Sequence, residues 1–134
     1  MGFTISRTIA MPYDDALAAT RGALSDEGFG ILTEIDLAAT MKAKLDVDLP
    51  PQVILGACRP ALAYEAIQVD PSIAAVLPCN VVVRSLGPAT TVVEAFDPDA
   101  MLGPAGAALE SVATDARLRL TGALDSLTAR GEEA

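Results

Sequence analysis

Over residues 3–9 apolar side chains alternate with Thr4, Ser6 and Thr8, the period-two pattern of a strand with one buried face. Arg7 falls on the apolar face, either reaching solvent along its aliphatic stem near a strand end or lining a site. Pro12 and the acids Asp14 and Asp15 mark a helix start, Tyr13, Leu17, Thr20 and Leu24 recur at helical spacing, and Gly28 supplies a stop. The spacing predicts a helix over 12–27. GILTEID over 30–36 predicts a second strand, with Ile31, Thr33 and Ile35 on one face and Glu34 and Asp36 on the other.

LAATMKAKL favours a short helix between residues 37 and 49, with Lys42 and Lys44 as a local basic spot and Pro50-Pro51 as its end. VILGA over 53–57 is apolar on both faces, as an interior strand is, and Gly56 within it marks a close backbone approach or a bulge. Pro60 opens a helix with Leu62, Ala63, Ala66 and Ile67 on one face. Asp70-Pro71 then caps and starts a second short helix to about residue 75, which Pro78 stops. The β-branched runs 80–86 and 89–96, separated by Gly87-Pro88, form a hairpin. A last helix over about 104–129 buries Val112, Ala116, Leu120, Ala123 and Leu127, pairs Asp115 with Arg119 on its surface and leaves Leu118 on the opposite side. RGEEA beyond it is expected to fray.

Composition narrows the possibilities. A chain of 134 residues fits one domain, 1–134, that buries roughly 68–70% of its unfolded surface. With three Phe, two Tyr and no Trp, its core is built from Val, Leu, Ile and Ala. The net charge of −9 repels phosphate backbones and anionic membranes, so nucleic acid is excluded as the expected partner. No apolar run approaches the roughly 20 residues that span a bilayer. MGFTISRTIAM lacks a basic leader followed by a long apolar region, which predicts a cytoplasmic protein. Met1-Gly2 with Ser6 matches the loose myristoylation pattern, although a strand accounts for Phe3 and Ile5 equally well.

Particular residues join this order of elements: Gly28-Phe29 before the second strand, Glu34 with Asp36, Leu55-Gly56-Ala57-Cys58-Arg59-Pro60, Asp70-Pro71, and Leu77-Pro78-Cys79-Asn80-Val81. Together they resemble the bacterial and archaeal domain-of-unknown-function 302 family, whose members share a GxCxP, DP and LLPC skeleton. The likeness covers nearly the whole chain, and the C-x-P and L-P-C segments are its specific part. It implies an α+β fold related to the TATA-box-binding protein, with a curved antiparallel sheet and a long C-terminal helix packed on it, and a homodimer. At Arg59 the family commonly has asparagine. Likeness of fold to a DNA-binding protein is not evidence of DNA binding, because function resides in sites.

The two cysteines, Cys58 and Cys79, stand too far apart for a C-x-x-C redox motif. Four roles compete for them. They are buried thiols acting as small hydrophobes; or a redox pair, with Cys58 activated by Arg59 and the helix start at Pro60 and Cys79 as resolving partner; or metal ligands, four per dimer or completed by Glu34 and Asp36; or a structural disulfide. The chain has no histidine, which excludes a Cys/His nucleophile.

Glu34 and Asp36 share a strand face, as an acid/base pair requires, yet solvated strands carry such pairs routinely. Asp97-Pro98-Asp99 reads as a capped turn rather than a calcium loop. Neither Gly28-x-Gly30 nor Gly103-x-x-Gly106 is a phosphate loop. The expectation is a small homodimeric binding or regulatory domain with a small-ligand pocket near Cys58 and Cys79. The alternative is a thiol-dependent redox protein using Cys58.

Overall fold

The computed structural model describes residues 2–101 and 106–133, with side chains over 2–100 and 108–128. Met1, on which the lipidation pattern depends, and residues 102–105, where the last helix was expected to start, lie outside the described residues. The chain order is β1 (Thr4–Ile9), α1 (Tyr13–Asp26), β2 (Gly30–Asp36), α2 (Leu37–Leu45), β3 (Gln52–Cys58), α3 (Pro60–Val69), a 3-10 segment (Pro71–Val76), β4 (Cys79–Gly87), β5 (Thr90–Phe96), a second 3-10 segment (Pro98–Met101) and α4 (Gly106–Glu133).

The strands form one antiparallel, open, curved sheet in the order β1-β5-β4-β3-β2. β3 and β4 are interior, as their two-sided apolar character requires. The predicted β4–β5 hairpin is present, its ladder shifting between Ser85 and Gly87. Alternation then sorts the side chains. Val53, Leu55 and Ala57 lie in register with Val83, Val81 and Cys79, and Val83 and Val81 with Val93 and Ala95. All of these but Cys79 pack with Ile5 and Ile9 of β1 against Leu24 of α1 and Leu120, Leu124 and Leu127 of α4. The helices thus cover one face of the sheet, while the other carries Ile54, Val82, Arg84 and Glu94.

Local chemistry fixes the ends of the elements. Gly28 has φ +86, which favours glycine where α1 must turn back into β2. Asp36 Oδ1 accepts the Ala39 N–H at 2.9 Å and caps α2. Asp70 accepts the Ser72 N–H at 3.0 Å and starts the 3-10 segment. Asp97 accepts the Asp99 N–H at 3.0 Å and also receives Arg117 Nε, so the Asp-Pro-Asp turn is a capped one. Arg7 Nε donates to Asp125 of α4 at 2.9 Å, so this arginine on the apolar face clamps strand to helix at a partly solvated rim.

Three expectations shift. β2 bulges between Ile31 and Thr33, so Ile31 opposes Ala57 and packs on the core, while Thr33 and Ile35 oppose Gly56 and Ile54 on the other face. Glu34 and Asp36 do share a face, but it is the helix-bearing one, where Glu34 pairs with Arg21 of α1. The buried stripe of α4 is broader than predicted: Leu109, Ala113 and Leu124 belong to it, and Val112 is only half-buried. The α4 helix spans Gly106–Glu133.

Candidate functional site

β3 ends at Cys58 and β4 begins at Cys79, with Ala57 opposite Cys79, so the register brings both cysteines to one end of the sheet. α3 leaves that end immediately and packs against α4. Between the sheet end, α3, the first 3-10 segment and α4 lies a cavity of about 50 Å³. It is about a third of the size that admits benzene in an engineered apolar cavity. Phe29, Leu62, Ile73, Leu77 and Val112 supply the larger apolar walls. Five alanines, Ala57 of β3, Ala63 and Ala66 of α3 and Ala113 and Ala116 of α4, line the space that larger side chains would fill. Cys58, Arg59 and Cys79 complete the described wall, and Arg59 is the one charged residue among the described residues that line it.

Arg59 is held from behind. Its guanidinium Nη1 donates to the Glu27 carbonyl at 2.8 Å across the turn at Gly28. A Cβ on Gly28 would stand 2.7 Å from that Nη1, so the glycine leaves room for the guanidinium as well as adopting a left-handed φ. The Arg59 Nε is buried and has no hydrogen-bond partner among the described residues.

Both cysteines are free thiols in this structure. Burial pushes the Cys58 thiol up, the opposite of the activation expected from Arg59 and the α3 N-terminus. Cys79 is pushed up from 9.0 to about 11, by burial first and by the neighbouring Cys58 second. Each therefore stays protonated at neutral pH and behaves as a small apolar wall residue. Because the folded Cys79 thiol ionises above the unfolded one, its contribution to stability is complete below pH 9 and is lost as pH rises from 9 towards 11. Chemical denaturation across that window is expected to show stability falling by ~2 kcal/mol more in the wild type than in Cys79→Ala; equal slopes would refute it.

Glu34 and Asp36 are not part of this site. Glu34 is engaged with Arg21, and Asp36 with the cap of α2. Among the described residues no group of three or more Cys, Asp or Glu is placed to hold a metal ion, so these acids do not complete a ligand set with the cysteines. Nor does any described helix have the length and apolarity to cross a membrane.

The family model for the domain of unknown function DUF302 matches residues 5–127. The chain belongs to the DUF302 family. A crystal structure of an uncharacterized conserved DUF302 protein from Bacillus stearothermophilus is similar to it, with 26% sequence identity, a TM-score of 0.85, and coverage of 95% of this chain and 99% of that one. No curated protein matches. The α+β fold implied by the family resemblance is the one found, down to the long C-terminal helix on the sheet.

Within this DUF302 domain, the cavity draws together Cys58, Arg59 and Cys79 as the sequence suggested. It also takes in Phe29, Leu109, Val112 and Ala113, which sequence reasoning had not connected with it. One signal for them was available. Alanines recur on both α3 and α4 where a packed helix pair would carry larger residues, but which alanines face each other depends on how the helices cross.

Proposed function

We propose that this DUF302 domain binds a small ligand in the cavity beside Cys58 and Cys79, and that it works as a homodimer. The observation carrying the ligand function is the cavity itself, whose described walls are nearly all apolar. Small-molecule pockets are lined predominantly by apolar side chains, and a space of this size takes a small apolar group rather than a drug-sized ligand. The raised thiol pKa values argue against a redox role for Cys58, since the thiolate is the reactive form.

The test is thermal-shift screening of the full chain with small metabolites, repeated on Ala113→Leu, which fills the space from α4. A ligand present at about 100 times its Kd stabilises the wild type by roughly 2.7 kcal/mol. That gain is expected to vanish in the variant. A shift of equal size in both proteins would place binding elsewhere, and no shift with any compound would sink the proposal.

The sheet face not covered by helices is where a second copy fits. Ile35, Ile54, Val82 and Leu86 lie there half-buried or exposed, around the Arg84–Glu94 pair at 3.6 Å. A twofold contact sets a patch against itself, so one that carries equal and opposite charges is self-complementary. Light scattering over a concentration series is expected to give the dimer mass for wild type and the monomer mass for Val82→Asp. A wild type that stays monomeric throughout would refute the dimer.

A further inference from the structure

We propose that residues 60–77, α3 with the first 3-10 segment, form a flap that leaves α4 as a unit and opens the cavity; its role as a gate rests on the ligand-binding function just proposed, while the motion itself does not. Three observations carry it. The first is how the segment is attached. It departs from Cys58 at the end of β3 and returns to Cys79 at the start of β4, and Ala57 and Cys79 are partners in the ladder. Both attachments therefore lie at the same end of adjacent strands, roughly 5 Å apart. The segment can swing without parting the β3–β4 ladder.

The second observation is its polar bonding, which is turned inward. The Ala63 N–H donates to the Arg59 carbonyl at 3.0 Å, that of Asp70 to Ala66 at 3.0 Å, that of Ile73 to Asp70 at 3.0 Å and that of Leu77 to Ala74 at 3.2 Å, and Asp70 Oδ1 accepts from Ser72. Among the described residues, every hydrogen bond of residues 60–77 ends within residues 59–77, and no ion pair reaches them. Other elements are tied across: Arg7–Asp125 joins β1 to α4, and Arg21–Glu34 joins α1 to β2. Arg59, just before the flap, is held by the Glu27 carbonyl and stays with the body of the domain.

The third observation is the thinness of the apolar contact. α1 buries Ala16, Thr20, Ala23 and Leu24, whereas α3 buries Ala66 alone and the 3-10 segment buries nothing. Towards the cavity the two helices present Ala63 and Ala66 on one side and Ala113 and Ala116 on the other, and alanines withdraw little apolar area from water. A segment held by few buried contacts sits at the low end of the range of local stabilities. Because Leu62, Ala63, Ile73 and Leu77 form one wall of the cavity, departure of the flap removes that wall.

The experiment is native-state hydrogen exchange of the full chain followed by NMR. A helix of ten residues alone in water is marginal, so the amides from Ala63 to Asp70 exchange once the flap has left α4. They are expected to share one protection factor, at least about 100-fold below that of the β3 and β4 amides. Protection equal to that of β3 and β4 overturns the flap, and so does protection graded along α3 from one end, which is fraying. Iodoacetamide labelling with peptide mapping reads the cavity side of the same motion: Cys79, buried in the closed state, is expected to be modified in the native protein, and modification only on global unfolding overturns the opening. Under xenon pressure the exchange of the flap is expected to slow, since an atom held in the closed cavity stabilises the closed state. Exchange unchanged by xenon overturns the gating role and leaves the motion standing; a xenon-induced shift of the Ala113 methyl with a flap as protected as the sheet overturns the motion and leaves the binding site standing.

Discussion

Gly56→Ala is expected to destabilise the fold by about 3 kcal/mol, although alanine in a strand interior ordinarily improves on glycine by roughly 0.5–1 kcal/mol. The reversal comes from the neighbours of Gly56 in β3. A Cβ there would collide with Thr33 Oγ1 of β2 and stand 2.8 Å from Cγ of Pro78. The hydroxyl can rotate, but the proline ring is fixed to the start of β4, so β2 or β4 has to give way. Equilibrium denaturation of Gly56→Ala, Thr33→Ala and the double variant measures this. With Oγ1 gone, the nearest Thr33 atom is its Cβ at 3.4 Å, an ordinary contact, so the double variant is expected to recover part of the loss. A coupling above about 0.5 kcal/mol supports the steric account, and strict additivity refutes it.

Leu124→Ala is expected to cost about 3 kcal/mol and to lower Tm by about 10 °C. Leu124 is 0% exposed and belongs to the cluster in which α4 meets α1 and the sheet. Helix propensity runs the other way, since alanine is the better helix former by a few tenths of a kcal/mol, so any loss reports packing. Leu118 on the same helix is 67% exposed, and Leu118→Ala is expected to change stability by less than about 0.5 kcal/mol. Thermal unfolding of the pair checks both. Similar losses in the two would mean that the Leu118 face is also buried, against another part of the chain or another molecule.

Most of the fold could be read from the sequence because its elements have one covered face each. β1 and most of β4 alternate in burial, since one side meets helices and the other does not, while β5 reads as a strand through its β-branched run. The termini of α1, α3 and the 3-10 segment were marked by residues with a single structural use: Gly28 with its positive φ, Pro60, and Asp70 before Pro71. The faces of β2 were misassigned at Ile31 because a bulge inserts one residue into the count, and nothing in GILTEID announces it. Gly56 on the neighbouring strand did signal an irregularity, but not which strand would carry it.

The site was less legible. Cys58, Arg59 and Cys79 drew notice through residue type, and they do meet. Their chemistry depends on burial, which the sequence does not give: the helix start and Arg59 suggested an activated thiol, while desolvation acts in the opposite direction and prevails. Glu34 and Asp36 formed a pair on paper, and the structure employs them separately, one against Arg21 and the other as a helix cap. The cavity itself is a gap between alanines, and a gap has no residue of its own to announce it.

The bulge in β2 bears on how copies of this domain can meet. β2 is an edge strand, and a regular edge exposes a row of N–H and C=O groups on which another chain can add a strand. Here the row is broken between Ile31 and Thr33, and the acids Glu34 and Asp36 follow the break. A strand approaching this edge finds its ladder out of step and its neighbour negatively charged. The same irregularity that turns Ile31 towards the core therefore guards the sheet against growth from β2.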